Sequence, residues 1–523
     1  MEIEEHIRQR LEKDAENLSE LEYFQLLYSN DLIDSLVEGS NAYYTKYLLD
    51  NYGKDYKKII LSKEAPASYP YLYVTRGISR EDVLAYVGIR IYMALHKLPA
   101  IRLYWSTGGL YQLKINRILP INYFCLLAKV LHFPEKEKDK KKEEKETEST
   151  TTENELSSSN LTSESGVKID PRHKINFYLQ KLGENFQKFY ELGQNITIDE
   201  SLLLFKGRNS MKFYIPMKPH KWGFKIHCLC DSDTHYLYNM LFDPGKSGKD
   251  FIYLDDSSSI SESIVLRLLS CVNDRKQRNL FCDGWYSSIS LMKKLSNMGY
   301  LVTTVLRSGS KEIPSKLKLK GYDKAYNDEI LIQKYEGKKT ILFATNYDIE
   351  IEKLRNIYNI KNRGVDTFDH YLEISSIQRR TLKWYKKIIM FGIDASIINS
   401  KIICELKTGR SYTTVQFKEK IVQAIFSRYR NYKNYANEIN TNSNNCLNLN
   451  SYYKNNLGIS KNPTITNTCR IKTHNIGFVK HARKVCQRCN EGTSYYCIEC
   501  NIGLHPECFI DYHDGFEVRG YRK

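Results

Sequence analysis

The sequence predicts an α/β fold for the middle of the chain, a sheet of mixed strand direction with helices packed on it. Three observations predict it. Between Asn195 and Leu306 the apolar runs follow the order strand, strand, strand, helix, strand, helix, strand, which fits an RNase H-like fold. Abrupt changes of composition, at 134–166 and at 430–468, frame the block that contains this order. Within it, Asp199, Asp283 and Asp366 each fall at the end of an apolar strand or the start of a helix, where a scaffold can aim carboxylates at one point.

Taken in order, residues 1–18 form a charged leader and 19–132 read as helical. Ser79 precedes Glu81 and Asp82, and apolar residues then recur at Val83, Leu84, Val87, Ile91, Leu95 and Leu98 until Pro99. That is an N-cap, a helical period and a stop. Residues 134–166 open with an almost unbroken Lys/Glu run and continue Ser/Thr-rich. Such a stretch buries too little apolar area to order itself and reads as a disordered linker. Strand candidates follow at Ile196–Asp199, Phe224–Cys230, Tyr236–Phe242, Asn279–Asp283 and Leu301–Leu306, with helix candidates at Ser261–Val272 and Ser287–Met298. Residues 308–360 are an insertion, rich in Lys and Tyr, with short strands of its own. It separates the last of these strands from a helix that starts near Gly364 and carries Asp366. Residues 170–194 and 376–429 are further helical stretches, 430–468 is an Asn- and Tyr-rich linker, and 474–523 is a cysteine/histidine-rich tail.

Composition narrows the partners. The 523 residues carry a net charge of +17, and an excess of this size favours a polyanion whose counterions Lys and Arg displace. Of 13 cysteines, the eight upstream of the tail are scattered, mostly in apolar contexts, and read as reduced thiols of an intracellular protein. The first residues are acidic and lack an apolar segment, so no secretory signal is expected. The longest apolar stretch, Ile388 to Ile403, is broken by Asp394 and too short and polar for a bilayer, so no membrane partner is expected either. Cytosol or nucleus is the expected compartment.

The acidic motifs are Asp199-Glu200 after Asn195-Ile-Thr-Ile, Asp283 in Phe281-Cys-Asp-Gly-Trp285, and Asp366 with Asp369 in Arg363-Gly-Val-Asp-Thr-Phe-Asp369. Asp366 and Asp369 are three apart and share a helix face. Carboxylates converging in this way hold hard divalent cations, and a pair of such cations supports in-line displacement at a phosphodiester. For Asp369, a plain helix-start acid favoured by the dipole is the alternative.

The order of these motifs resembles the piggyBac transposase family. "TIDESLLLFKGR" with Asp199, "CDGWYSSI" with Asp283 and "RGVDTFDH" with Asp366 are similar to that family's three acidic motifs. "KFYIPMKPHKWGFK" (Lys212 to Lys225), "LRSGSKEIP" (Leu306 to Pro314) and "RRTLKWYKKI" (Arg379 to Ile388) are similar to the segments that accompany them, and "FQLLYSNDLIDSLVEGSN" and "LPAIRLYWST" fit its N-terminal part. The resemblance implies a cut-and-paste DNA transposase that nicks its element ends, forms and reopens a hairpin, and joins the ends to a TTAA target. It implies two Mg2+ ions (Mn2+ as an alternative) on Asp199, Asp283 and Asp366, with Asp369 as an accessory acid. It also implies double-stranded DNA as partner, a homodimer on paired ends, helical DNA-binding and dimerisation regions at 170–194 and 376–429 around the catalytic domain of 195–375, and a nuclear location. Arg307 and Lys311 match a turn that in the family contacts DNA. Trp384 resembles an aromatic that meets flanking or target DNA there, with packing in a core or interface as the alternative.

The tail spaces its ligands as Cys486-x2-Cys489-x7-Cys497-x2-Cys500-x4-His505-x2-Cys508-x4-His513. Two short C-x2-C pairs with histidines in so few residues are a zinc signature, and a reduced compartment disfavours disulfides. In an interleaved cross-brace, Cys486, Cys489, His505 and Cys508 hold one Zn2+. Cys497, Cys500 and His513 hold a second, completed by His481 or His474. A segment this small relies on its metals for folding. The resemblance implies a domain that binds element-end DNA, and Arg470, Lys472, Lys480, Arg483 and Lys484 are placed to meet phosphate or to form a nuclear localisation signal. An active transposase is the leading reading. A domesticated descendant that binds DNA or chromatin without catalysis is the second, and a tail that captures proteins is the third.

Overall fold

In a computed structural model of the chain, the structure describes residues 18–63, 77–106, 115–134 and 170–442, apart from 217, 219, 220, 255–257, 274, 275, 308 and 320. In the tail it describes 473–478, 484–487, 491–497, 502–505, 508 and 517–519. The leader of 1–17, nearly all of the 134–166 linker and residues 443–472 lie outside the described residues. Two compact units divide the chain, Met1–Lys433 and Asn434–Lys523.

The first unit begins with helices α1 (Glu20–Leu27), α2 (Asn30–Tyr52), α3 (Tyr56–Lys63), α4 (Arg80–Leu95) and α5 (Ile121–Val130). Ser19 and Ser79 cap α1 and α4 with reciprocal side-chain to backbone bonds to Glu22 and Asp82. Helix α4 stops at Leu95, ahead of Pro99. Helix α6 (His173–Lys188) then leads into the sheet.

Nine strands form that sheet: β1 (Asn195–Leu204), β2 (Lys212–Tyr214), β3 (Trp222–Asp231), β4 (Leu237–Phe242), β5 (Asn279–Cys282), β6 (Leu301–Leu306), β7 (Lys324–Asn327), β8 (Ile330–Glu336) and β9 (Thr340–Thr345). Their order is β2-β3-β1-β5-β6-β9-β8-β7, with β4 also on β3. Strands β1, β3 and β4 are antiparallel, whereas β5 and β6 run parallel to β1. Parallel neighbours need crossovers, and helices α7 (Ile260–Leu269) and α8 (Ile289–Asn297) provide them. The core order β4-β3-β1-β5-β6 with this mix of directions is a mixed sheet with helices packed on it.

Period-two alternation divides the sheet's faces. Ile196, Ile198, Leu229, Leu280, Cys282 and Val302 are buried with α7 and α8 on one face. The opposite face takes Phe224, Ile226, Cys228 and Cys230 into a second core. That core is shared with α1 to α6 and with α10 (Gly364–Glu373), α11 (Trp384–Thr408) and α12 (Thr414–Asn442). The helices from both ends of the unit therefore share one core with the sheet. Among the described residues no helix is long and apolar enough to cross a membrane; α11 is buried in this core.

One detail differs from the sequence reading and another adds to it. Strand β1 does not close at Asp199 but runs to Leu204, because the ladder to β3 continues with Asp199 opposite Cys228 and Leu203 opposite Phe224. The charged pair Asp199-Glu200 looked like a strand end, yet β5 stops opposite Ile198 and leaves Asp199 beyond its only parallel neighbour. The insertion has the short strands expected of it. Its β9 pairs with β6, so β7 to β9 widen the main sheet, and it ends in a helix, α9 (Ile351–Lys361).

Candidate active site

The site forms where the two parallel strands end. Register pairs Ile198 with Cys282, which sets Asp199 and Asp283 abreast at the ends of that pairing. Asp283 is exposed and accepts the Gly284 N–H at 2.6 Å. Asp199 is half-buried and accepts the Glu200 N–H at 2.7 Å. Tyr358 on α9 donates to the Cys282 carbonyl at 3.3 Å, beneath both aspartates. Burial, reinforced by the charges of Asp283 and Asp199, pushes the Cys282 thiol up to about 12.

Helix α10 brings the other two carboxylates. It approaches β1 so closely that a Cβ on Gly364 would stand 2.5 Å from the Thr197 Cγ2. Only glycine allows that approach. Ser201, two residues beyond Asp199 and on the same strand face, donates to the Asp369 carboxylate at 2.6 Å. Asp366, one helical turn earlier, stays exposed.

Charge is concentrated here. Burial, followed by the negative charges of Glu200 and Asp366, raises Asp199 to about 8. Burial raises Asp369 to about 7, against the Ser201 hydrogen bond and Lys218. Carboxylates raised in this way are strained as anions, and a divalent cation relieves that strain. The donor set consists entirely of hard oxygens, which fits Mg2+ or Mn2+. These carboxylates do not gather as tightly as a ligand set: among the described residues, the ligand atoms that lie within 4.8 Å of one another are those of Cys486, His505 and Cys508.

Of the DNA-contact candidates, Arg307 is exposed just past β6, with its Cγ 3.8 Å from a Cβ built on Gly284, beside Asp283. It lines an open pocket with Trp285 and Tyr253. Lys311 is exposed four residues on. Trp384 is half-buried at the start of α11 and packs against Phe224 and Phe242, at ring centroid distances of 6.2 and 6.3 Å, so packing accounts for much of its surface. Sequence reasoning missed Ser201, which strand alternation from Asp199 could have found. It also missed Lys218, whose ammonium lies 4.0 Å from the Asp366 carboxylate, for which no spacing rule gave a signal.

In the second unit, β10 (Thr473–Phe478), β11 (Lys484–Val485), β12 (Gly492–Thr493), β13 (Tyr495–Cys497) and β14 (Glu517–Arg519) make two small sheets. Cys486 follows β11, and Cys508 donates its N–H to the His505 carbonyl at 2.9 Å. With Cys486 and Cys508 buried and His505 half-buried, their ligand atoms lie within 4.8 Å of one another. A tetrahedral Zn2+ with Zn–S near 2.3 Å spaces its ligands about 3.8 Å apart, so two thiolates and an imidazole at this separation fit it. His505 Nε2 lies 3.1 Å from the Gly492 carbonyl; in the tautomer that donates there, Nδ1 carries the lone pair a metal would take. Cys497 is buried in β13, outside that trio. Cys489, Cys500, His481 and His513 lie outside the described residues, as does the side chain of His474.

The chain is similar to known proteins. A family model described as transposase IS4 matches residues 19–401. The human piggyBac transposable element-derived protein 3 is 22% identical over 390 residues, covering 68% of this chain and 62% of its own length. The human piggyBac transposable element-derived protein 2 is 22% identical over 371 residues, covering 64% of this chain and 57% of its own. The chain thus spans about three fifths of the length of these curated relatives. A piggyBac transposase solved by cryo-electron microscopy as a synaptic complex with hairpin DNA superposes with a TM-score of 0.65 at 20% identity, covering 95% of this chain and 99% of that one.

Proposed function

This chain belongs to the piggyBac-type transposase family, and from that premise we propose that it is a cut-and-paste DNA transposase acting at TTAA targets. The observation that carries the proposal is the register of β1 with β5, which sets Asp199 and Asp283 abreast while α10 lies over the same strand with Asp366 and Asp369. Asp199, Asp283 and Asp366 hold two Mg2+ ions, which when bound supply Lewis acidity and lower the pKa of a nucleophilic hydroxyl. The side chains do the rest. Ser201 fixes the Asp369 carboxylate. Arg307 lies exposed past β6 on the Asp283 side and Lys311 is exposed four residues on; both bind DNA phosphates, Arg307 holding the strand against Asp283. Trp384 offers its uncovered edge to flanking DNA.

The tail, with Zn2+ on Cys486, Cys489, His505 and Cys508 and a second ion on Cys497, Cys500, His513 and His481 or His474, recognises the element ends. Paired ends call for a homodimer, and the substrate places the protein in the nucleus. The test is incubation of the purified chain with its matched end DNA and Mg2+. Nicks followed by hairpins, absent with Asp199→Asn, are expected. Specific binding of the ends with no cleavage by the native chain would overturn the enzymatic reading in favour of a DNA-binding descendant.

A further inference from the structure

The loop between β2 and β3 carries Lys218 to the carboxylates. Its ammonium lies 4.0 Å from Asp366 Oδ1 and donates to the Glu200 carbonyl at 3.4 Å. That carbonyl belongs to the residue after Asp199, so Lys218 links β1 to α10 at the point where the acids meet. Its positive charge also acts on both Asp199 and Asp369, opposing the effect of burial on each. Lys218 is thus a cation set against all three of these acids. Its side chain is 30% exposed and Asp366 is 66% exposed, so the contact is accessible and reversible rather than locked in a core.

We propose that Lys218 is an internal counterion of the acidic site. It occupies the charge position of a divalent cation and has to withdraw before that cation binds, so it sets the metal concentration at which the site loads. The inference rests on the metal-dependent reading of Asp199, Asp283 and Asp366 and goes beyond it by giving a role to a lysine outside the ligand set. The physical basis is competition. An ammonium and a divalent ion attract the same carboxylates, and both cannot sit at contact distance from them without repelling each other. The released Lys218 side chain carries its charge to the mouth of the site, where the next anion to arrive is a DNA phosphate. Lys218 is thus a positioning residue for the carboxylates in the metal-free chain.

The test reads metal binding, not turnover. The full chain, freed of divalent cations, is titrated with Mn2+, and free Mn2+ is followed by electron paramagnetic resonance without DNA. Asp199→Asn and Asp366→Asn define the binding that belongs to the site. Lys218→Gln is expected to bind Mn2+ about two- to fivefold more tightly than the native chain, the range an ion pair of this exposure supplies. Lys218→Arg, which keeps the charge, is expected to stay near native affinity. Unchanged or weaker binding by Lys218→Gln, with the native site still loading, overturns the counterion role and leaves the metal site standing. Binding that survives both aspartate substitutions unaltered overturns the metal site itself, and the counterion role with it.

Discussion

On the function we propose, the acidic site and the cysteine–histidine cluster are both ligand sets for cations, yet they are built in opposite ways. Asp199 lies on, and Asp283 just past, strands of a nine-stranded sheet with a large core on each face, and α10 lays Asp366 and Asp369 over that sheet, so the fold brings like charges into one region. The raised values of Asp199 and Asp369 are the cost of that placement. In the tail the order is reversed. Its described core consists of Cys486, Cys497, Cys508 and Leu504, so the ligands are themselves most of the core. On that reading the comparison teaches that one site is fold-imposed and spends stability to exist, whereas the other is expected to give its unit stability only when a metal is bound.

The sharpest way to break this comparison is to remove the metals. With a strong zinc chelator, the described tail amides, such as those of Tyr495–Cys497, are expected to lose hydrogen-exchange protection completely. The amides of β1 and β5 should keep theirs. Equal loss in both units would refute the contrast. Second in size is Asp199→Asn. Strand cleavage should fall by roughly 10³-fold or more, as for groups that work as a unit. The thermal midpoint of the metal-free chain should hold or rise at pH 8.5, because a like-charged buried carboxylate is gone. A clear fall in the midpoint would mean that Asp199 stabilises the fold.

Much of this was legible in the sequence because strand period and acidic motifs are local. The core strands and α7, α8 and α10 lie where the apolar runs placed them, within a few residues. What escaped depends on pairing. Nothing within "TIDESLLL" says that β3 continues alongside as far as Leu204, or that β5 stops at Ile198. The attachment of β7 to β9 depends on β6 offering a bare edge, which is a fact about the sheet and not about residues 308–360. The site was legible in its acids and not in its supports. Ser201, Thr197 and Lys218 are ordinary residues whose roles come from which helix or loop lies opposite.

Gly364 tests how firmly the fold imposes the acidic site. A Cβ there meets Thr197 Cγ2 at 2.5 Å, with the Asp231 carbonyl and Ser232 Cα at 3.3 Å. Gly364→Ala should cost about 1–3 kcal/mol, as overpacking does, and lower cleavage by moving α10 off β1. Thr197→Ser removes the offending methyl and keeps the hydroxyl that faces the Asn362 carbonyl. The double variant should recover part of both losses, a coupling that a double-mutant cycle in chemical denaturation measures. Additive losses would mean that α10 is held elsewhere.

The smallest variant effect, that of Ser201→Ala, concerns protons. Asp199 at about 8 and Asp369 at about 7 keep protons in the folded chain that the unfolded chain releases near the ordinary value of 3.8. Between those limits the folded state binds more protons, so stability without metal must fall as pH rises from about 4 to about 8. It is fully present below the lower limit and lost through the upper. Ser201→Ala removes the hydrogen bond that favours the charged form of Asp369, which should raise that group further and cost about 1 kcal/mol at high pH. The decline in thermal midpoint with pH, measured in a chelator, should therefore extend to higher pH in the variant. In the tail, where thiols must lose protons to bind metal, zinc-loaded stability should instead rise with pH. Parallel pH profiles for the sheet and tail amides would remove the distinction between a site the fold imposes and a site the metal builds.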